Sequence, residues 1–282
     1  MPFQLDLSAV DDVLKSAVRE DLGPGDVTTA ATVPETSQAT GRYTTKQELV
    51  VSGLSVVRRL LELVDPALQF RALVSDGHFV GKGIAIGEIY GPARSVLTAE
   101  RVTLNMLQRM CGIATTTRDY VERLKGTKTR VLDTRKTVPG LRILDKYAVA
   151  CGGGENHRMG LFDAVLIKNN HLAFHGSIAE AVRAARKHAA PGMKIEVEVP
   201  SPESVEEAIA AGADRILLDN LTVEQTRDAV ARCRGRVVLE SSGGITLDNI
   251  RDYAEAGVDV ISVGALTHSP PAADIHLRVT PA

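Results

Sequence analysis

From residue 129 onward, apolar positions come in short β-branched runs, each followed by a few polar residues and then an amphipathic helical stretch. The runs are TRVLD (129–133), AVLIK (164–168), KIEVEV (194–199), RILLD (215–219), RVVLE (236–240) and DVISVG (259–264). Strand-length runs alternating with helical periodicity predict β/α units on a parallel sheet with right-handed crossovers. The predicted helices carry start signals. Ser177 with Glu180 and Thr222 with Gln225 have capping-box spacing, and Ser201 stands ahead of Pro202 as an N-cap before a proline at the first helical position. AGADRILLDN and AGVDVISVGA repeat one formula of helix end, glycine, aspartate and strand, with GLFDAVLIKNN a looser third copy. Six units fall short of the eight that close a full barrel, so the pattern predicts an open, incomplete α/β barrel.

Up to about residue 95 the grammar differs. Ser8 followed by Asp11 reads as a helix cap, and Val10, Val13, Leu14, Ala17 and Val18 supply a buried stripe. Gly23, Pro24 and Gly25 break the chain in GPGDVTT. A strand is expected around Gly41–Gly53, then a helix carrying Val56, Val57, Leu60, Leu61 and Val64. Short strands divided by Asp76-Gly77 and Gly81/Gly83 read as a hairpin meander. This half predicts an α+β domain with an antiparallel sheet. A long helix, about Val96–Leu124, leads out of it, with a break or kink expected at Gly112. The tail, with Pro270-Pro271 and IHLRV, is expected to add a strand back to the first domain. The division is therefore 1–110 joined by 269–282, and 111–268.

Composition narrows the function classes. The 282 residues are 44% hydrophobic and 24% charged, ordinary for a soluble globular chain. A formal charge of −2 and an aromatic share of 4% argue against nucleic-acid binding by a basic or base-stacking surface. No apolar run approaches the ~20 residues of a membrane-spanning helix, so no membrane partner is expected. The start, MPFQLDLSAVDDVL, lacks the basic and apolar regions of a secretory signal. Cys111, Cys151 and Cys233 are odd in number and form no CxxC, which fits packing cysteines in a reducing, cytoplasmic setting.

In β/α barrels the carboxyl ends of the strands face the ligand. Here they carry Asp133-Thr134-Arg135-Lys136, Lys168-Asn169-Asn170-His171, Glu196 and Glu198, Asp219-Asn220, Glu240-Ser241-Ser242-Gly243-Gly244, and Gly264. Any one strand end could be solvated without function, but all six crowd one rim. The signs segregate: Arg135, Lys136, His157, Arg158, Lys168 and His171 come early, Glu198, Asp219 and Glu240 late. Clustered cations in a near-neutral chain ask for a polyanionic ligand, Arg for bidentate contacts and Lys for a point charge. The competing reading pairs Arg135 or Arg158 with the carboxylates and makes His157 a surface histidine. Glu196 and Glu198, two apart on a strand, share the inward face and need partners there. Glu198, Asp219 and Glu240 suit Mg²⁺ held through oxygen and water, or ribose hydroxyls. Gly243, Gly244 and Gly264, each between strand and helix, suit close approach of a phosphate.

Several motifs together resemble one known family. They are EDLGPGDVTT, LTAERVTLNML, DTRKTVPGLRILDKYAV, GGGENHRMGLFDAVLIKNNH, EVEV, ILLDN, LESSGGI and VGALTHS. In this order, over nearly the whole chain, they look like the quinolinate phosphoribosyltransferases, the carboxylating nicotinate-nucleotide pyrophosphorylases. The resemblance implies an α/β sandwich domain with an open α/β barrel, and a homodimer in which Arg101 is donated across the interface. It implies quinolinate held by Arg101, Arg135, His157, Arg158 and Lys168. Phosphoribosyl pyrophosphate (PRPP) would meet Lys136, His171, Glu198, Asp219, Glu240, Ser242, Gly243, Gly264 and His268. Lys136, Lys168, Glu198 and Asp219 would be catalytic, with Mg²⁺ on Glu198 and Asp219 directly or through water. The implied reaction makes nicotinate mononucleotide, pyrophosphate and CO₂ in NAD biosynthesis. Three rivals are a paralogue with another PRPP acceptor, a Schiff-base lyase using Lys168, and a non-catalytic sensor of phosphorylated ligands.

Overall fold

The computed structural model describes residues 5–282 of the chain; residues 1–4, which begin the segment lacking a signal-peptide pattern, lie outside them. In chain order the elements are α1 (Asp11–Leu22), α2 (Val27–Thr32), β1 (Gln38–Thr45), β2 (Leu49–Val50), α3 (Leu54–Val64), β3 (Gln69–Ala72), β4 (Phe79–Val80), β5 (Ala85–Pro92) and α4 (Ala93–Arg123). They continue as β6 (Arg130–Leu132), α5 (Arg142–Cys151), β7 (Val165–Ile167), α6 (Asn169–Leu172), α7 (Ile178–His188), β8 (Ile195–Val199) and α8 (Ser204–Ala210). The last are β9 (Arg215–Asp219), α9 (Val223–Cys233), β10 (Val238–Ser242), α10 (Ile250–Ala256), β11 (Val260–Ser262), α11 (Ala265–His268) and β12 (Ile275–Pro281).

Two compact units result. One holds Met1–Arg118, Thr137–Gly153 and Leu266–Ala282, the other Asp119–Lys136 and Gly154–Ala265. Residues 137–153 thus group with the N-terminal unit, although a boundary at residue 110 would give them to the barrel. The reason is electrostatic and steric. Buried Asp145 of α5 takes both a 2.9 Å and a 2.7 Å hydrogen bond from Arg109 of α4, and the Tyr147 hydroxyl donates to Asp76 at 2.8 Å. A Cβ on Gly152 would lie 2.4 Å from the Ala114 carbonyl oxygen, so α5 sits tightly against α4.

In the first unit an antiparallel sheet runs β12-β1-β5-β3. On β1 the inward positions are Ala39, Gly41, Tyr43 and Thr45, an alternation that buries one face. Leu54, Val57 and Leu61 of α3 and Val96, Ala99 and Leu107 of α4 complete the core with Ile86, Ile89, Ile275 and Leu277. Three local expectations change. Strand β4 pairs with β2, and β3 with β5, so the region is not a consecutive meander; Gly77 and Gly81 leave β4 only two residues. Asp6, not Ser8, caps the first turn, its carboxylate accepting from the Ser8 N–H at 2.9 Å. Helix α4 runs through Gly112 without a break. Gly112 serves close approach instead: a Cβ there would meet the Pro271 carbonyl oxygen at 2.1 Å.

In the second unit six parallel strands run β6-β11-β10-β9-β8-β7. Strands β6 and β7, successive in the chain, are the two edges, so the barrel is open between them. Glu155 bridges to Leu132 at the β6 edge. The repeated AGxD formula has one structural meaning. Asp214 accepts from the Ile195 N–H and Asp259 from the Leu239 N–H, both at 2.9 Å, so each aspartate ties a strand's start to its neighbour. In the looser copy Asp163 instead accepts from Met159 and Gly160 N–H groups, shaping the loop before β7. Ser177 and Thr222 cap α7 and α9 as expected, whereas Pro202 lies in a turn ahead of α8.

Candidate active site

Because the six strands are parallel, their carboxyl ends share one rim. There the structure brings together Arg135 and Lys136 after β6, Lys168 and His171 after β7, Glu198 near the end of β8, and Asp219 ending β9. Ser242 and Gly243 close β10, and Gly264 follows β11. Helix α4 carries Arg101 and α11 carries His268, both in the first unit. Arg101 is exposed, makes no ion pair with another described residue, and lines a cavity of about 350 Å³ with Asp26, Leu97 and Thr98.

Beneath the rim lies a buried network that sequence reasoning had placed elsewhere. His157 Nε2 is 3.1 Å from Glu196 Oε2 and 3.4 Å from Glu240 Oε2, and Arg215 Nη1 is 3.1 Å from the same Glu240 oxygen. His157 Nδ1 accepts the Arg158 N–H at 2.7 Å. Both ring nitrogens therefore lie against protein groups. Glu240 is fully buried against His157 and Arg215. Glu196 and Arg215, given no ligand role, are parts of this floor.

Burial opposes a charge on His157, but hydrogen bonds to Glu196 and Glu240 outweigh it and lift the ring's pKa to about 9. The Nδ1 contact with the Arg158 N–H belongs to the neutral ring, in which Nε2 carries the proton facing the carboxylates; once charged, the ring carries a proton on both nitrogens and gives up that bond. Burial pushes Glu196 up. Burial also acts to raise Glu240, but the His157 hydrogen bond and charge, with Ser262 and Arg215, hold it below the usual carboxylate range. Arg158 is lowered by burial and by the nearby Arg135. Its Nη1 donates to the Ala164 carbonyl, and Arg135 Nε is buried without a partner.

The loop carrying these residues is pinned from β6. Asp133, fully buried, accepts from His157 N–H at 2.8 Å and from Asn156 Nδ2 at 2.6 Å. Its signal in the sequence was an aspartate directly after an apolar strand, which reads equally as a ligand. On the acidic side, Glu198 Oε2 is 3.4 Å from Lys168 Nζ, and Oε1 accepts from the Asn169 N–H at 3.3 Å. His171 Nδ1 accepts from the Lys168 N–H at 2.8 Å, so the end of β7 delivers both side chains in a fixed relation. Asp219 is half-buried beside Asn220.

Two oxygen-donor sets could be considered for a cation. His157, Glu196 and Glu240 offer three ligand atoms within 4.8 Å of one another. Arg215 and the Nε2 proton already compensate that set, so it does not suit a metal. Glu198 and Asp219, carboxylates on adjacent strands at the rim, suit a hard ion such as Mg²⁺ that keeps several waters.

Comparison with known proteins agrees with this architecture. Residues 26–111 match the family described as quinolinate phosphoribosyl transferase, N-terminal domain, and residues 113–278 match its C-terminal domain. The nicotinate-nucleotide pyrophosphorylase (carboxylating) of Mycobacterium leprae is 46% identical over 278 residues, 96% of this chain and 98% of that protein. NadC from Streptococcus pyogenes superposes with a TM-score of 0.95 at 41% identity, covering 99% of each chain. The nicotinate-nucleotide pyrophosphorylase of Francisella tularensis does so at 0.93 and 40%, again over 99% of each. With both domains matched in order, the chain belongs to the quinolinate phosphoribosyltransferase family.

Proposed function

We propose that the chain transfers the phosphoribosyl group of PRPP to quinolinate with decarboxylation, giving nicotinate mononucleotide, pyrophosphate and CO₂, a step of NAD biosynthesis. Membership of the family over both domains carries this reading. The rim supports it, with cations ending β6 and β7 and acids ending β8 and β9. The pyridine nitrogen lone pair forms the bond to the ribose C1′ as the C1′–O bond to pyrophosphate breaks, its electrons leaving with pyrophosphate. The ring nitrogen is then quaternary. The bond from C2 to its carboxylate breaks next, CO₂ leaves, the electron pair remains at C2, and a solvent proton takes its place.

No general base is needed for the first step, so positioning and electrostatics do the work. Arg135, His157, Arg158 and Lys168 hold the two carboxylates of quinolinate. Lys136 and His171 line the phosphoribosyl side. Ser242, Gly243, Gly264 and His268 receive the 5′-phosphate. Glu198 and Asp219 meet the ribose hydroxyls and stabilise positive charge developing at C1′. Glu198 and Asp219 would hold Mg²⁺, directly or through water, and the ion would supply positive charge against the pyrophosphate. Arg101, exposed and unpaired among the described residues, is donated to the site of a second copy in a homodimer. No helix among the described residues is long and apolar enough to cross a membrane. The three free cysteines fit a cytoplasmic location.

Purified chain with carboxyl-labelled quinolinate, PRPP and Mg²⁺ should release CO₂ and pyrophosphate in equal amounts. Pyrophosphate release with nicotinate and none with quinolinate would overturn the assignment. Borohydride with a carbonyl substrate should leave Lys168 unlabelled, against the lyase reading.

A further inference from the structure

Asn220 stands where the acid end of β9 meets the glycine turn after β10. Its backbone is left-handed, with φ 55°, a conformation that asparagine tolerates better than most side chains. Three contacts use it. The Asn220 N–H donates to the Ser242 carbonyl at 2.9 Å, extending by one residue the ladder in which Asp219 faces Ser242. Asn220 Nδ2 donates to Asp219 Oδ1 at 3.0 Å. The side-chain amide also lies against Gly243, where a Cβ would be 2.2 Å from Oδ1 and 2.5 Å from Cγ. On the other side of the turn, Asn249 Nδ2 donates to the Gly244 carbonyl at 3.1 Å and its Oδ1 accepts from the Thr246 N–H at 2.8 Å. The two-glycine turn is therefore gripped from the end of β9 and from the start of α10.

We infer that Asn220 is a positioning residue for the phosphoribosyl donor, tying the Asp219 carboxylate to the Ser242–Gly244 turn at a fixed separation. The inference rests on the proposed function, in which Asp219 meets ribose hydroxyls and the turn takes the 5′-phosphate. In PRPP those two groups are joined through one sugar ring, so their separation is nearly constant. A rigid link between the two protein subsites lets both contacts form at once without reordering either. A residue that served only to end the strand would need nothing more than tolerance of positive φ, for which glycine is best.

Two variants of the full chain separate these roles. Asn220→Gly keeps the left-handed backbone and removes both side-chain contacts. Asn220→Asp keeps size and shape but sets an acceptor against Asp219 Oδ1. Each should raise KM for PRPP by about tenfold or more, while the quinolinate Kd, measured calorimetrically without PRPP, stays within about twofold. Hydrogen–deuterium exchange across 242–249 should be faster in Asn220→Gly, with no substrate present. Wild-type PRPP kinetics and unchanged exchange in Asn220→Gly would overturn the inference, as would equal weakening of both substrates. If the wild-type chain releases no pyrophosphate from PRPP and quinolinate, the functional reading fails instead. The exchange measurement still decides whether Asn220 braces the turn.

Discussion

Replacing Glu240 by Gln tests the floor under the active site. The carboxylate is fully buried, with Oε2 3.1 Å from Arg215 Nη1 and 3.4 Å from His157 Nε2. At an effective dielectric of ~20 the attraction to Arg215 alone is about 5 kcal/mol. Removing the charge also removes its desolvation cost of several kcal/mol, but both cationic partners then face a neutral amide. Breaking one side of a buried pair costs roughly 3–5 kcal/mol. The low end, about 3 kcal/mol, applies because the Arg215 side chain is 31% exposed and regains water. For a chain of this length that lowers Tm by about 6 °C, measurable by calorimetry near pH 7. The KM for quinolinate should rise with it, because His157, and with it the adjoining Arg158, loses its anchor on Glu240. A melting point within about 1 °C of wild type, or lost stability with unaltered quinolinate kinetics, would refute the coupling of Glu240 to Arg158.

Other outcomes follow from the same geometry. The folded-state pKa of His157 is raised from 6.5 to about 9. Its stabilisation is therefore complete below pH 6.5 and lost as pH rises through about 9, by at most about 3 kcal/mol. Denaturant curves for wild type should lose that stability relative to His157→Gln across this window, and parallel curves would contradict it. Arg135→Ala should weaken quinolinate binding by about 10- to 100-fold, the worth of a charge-assisted hydrogen bond, and PRPP binding much less; calorimetry with each substrate decides. Gly112→Ala places a Cβ 2.1 Å from the Pro271 oxygen. It should cost about 1–3 kcal/mol by denaturant unfolding, where a helix kink at this glycine would instead make alanine neutral or stabilising.

The six barrel strands were legible because each is a short apolar run preceded within a few residues by a glycine and followed by polar residues and a helical stretch, signals that act locally. The AGxD repeats were visible as a pattern, but the Asp214 and Asp259 bonds to neighbouring strands required the sheet order. The rim residues followed from one rule, that parallel strands place their carboxyl ends together. Least legible were the places where a side chain's partner is distant in sequence. Helix α5 reads as a barrel crossover, yet Asp145 and Tyr147 answer to Arg109 and Asp76. Glu240 and His157 have the composition of ligands, and only the pairs 25 and 83 residues apart, with Arg215 and between those two, turn them into a floor.

By itself, then, the sequence determined the two fold grammars, the family and the segregation of cations from acids along the barrel. Those depend on local periodicity and chain order, which folding preserves. Tertiary structure alone decided which charges stay at the rim and which face each other. A carboxylate's role depends on what surrounds it after burial, and Glu198 and Glu240, alike in sequence setting, part company there. The first stays beside Lys168 at the rim, and the second is closed off beneath His157 and Arg215.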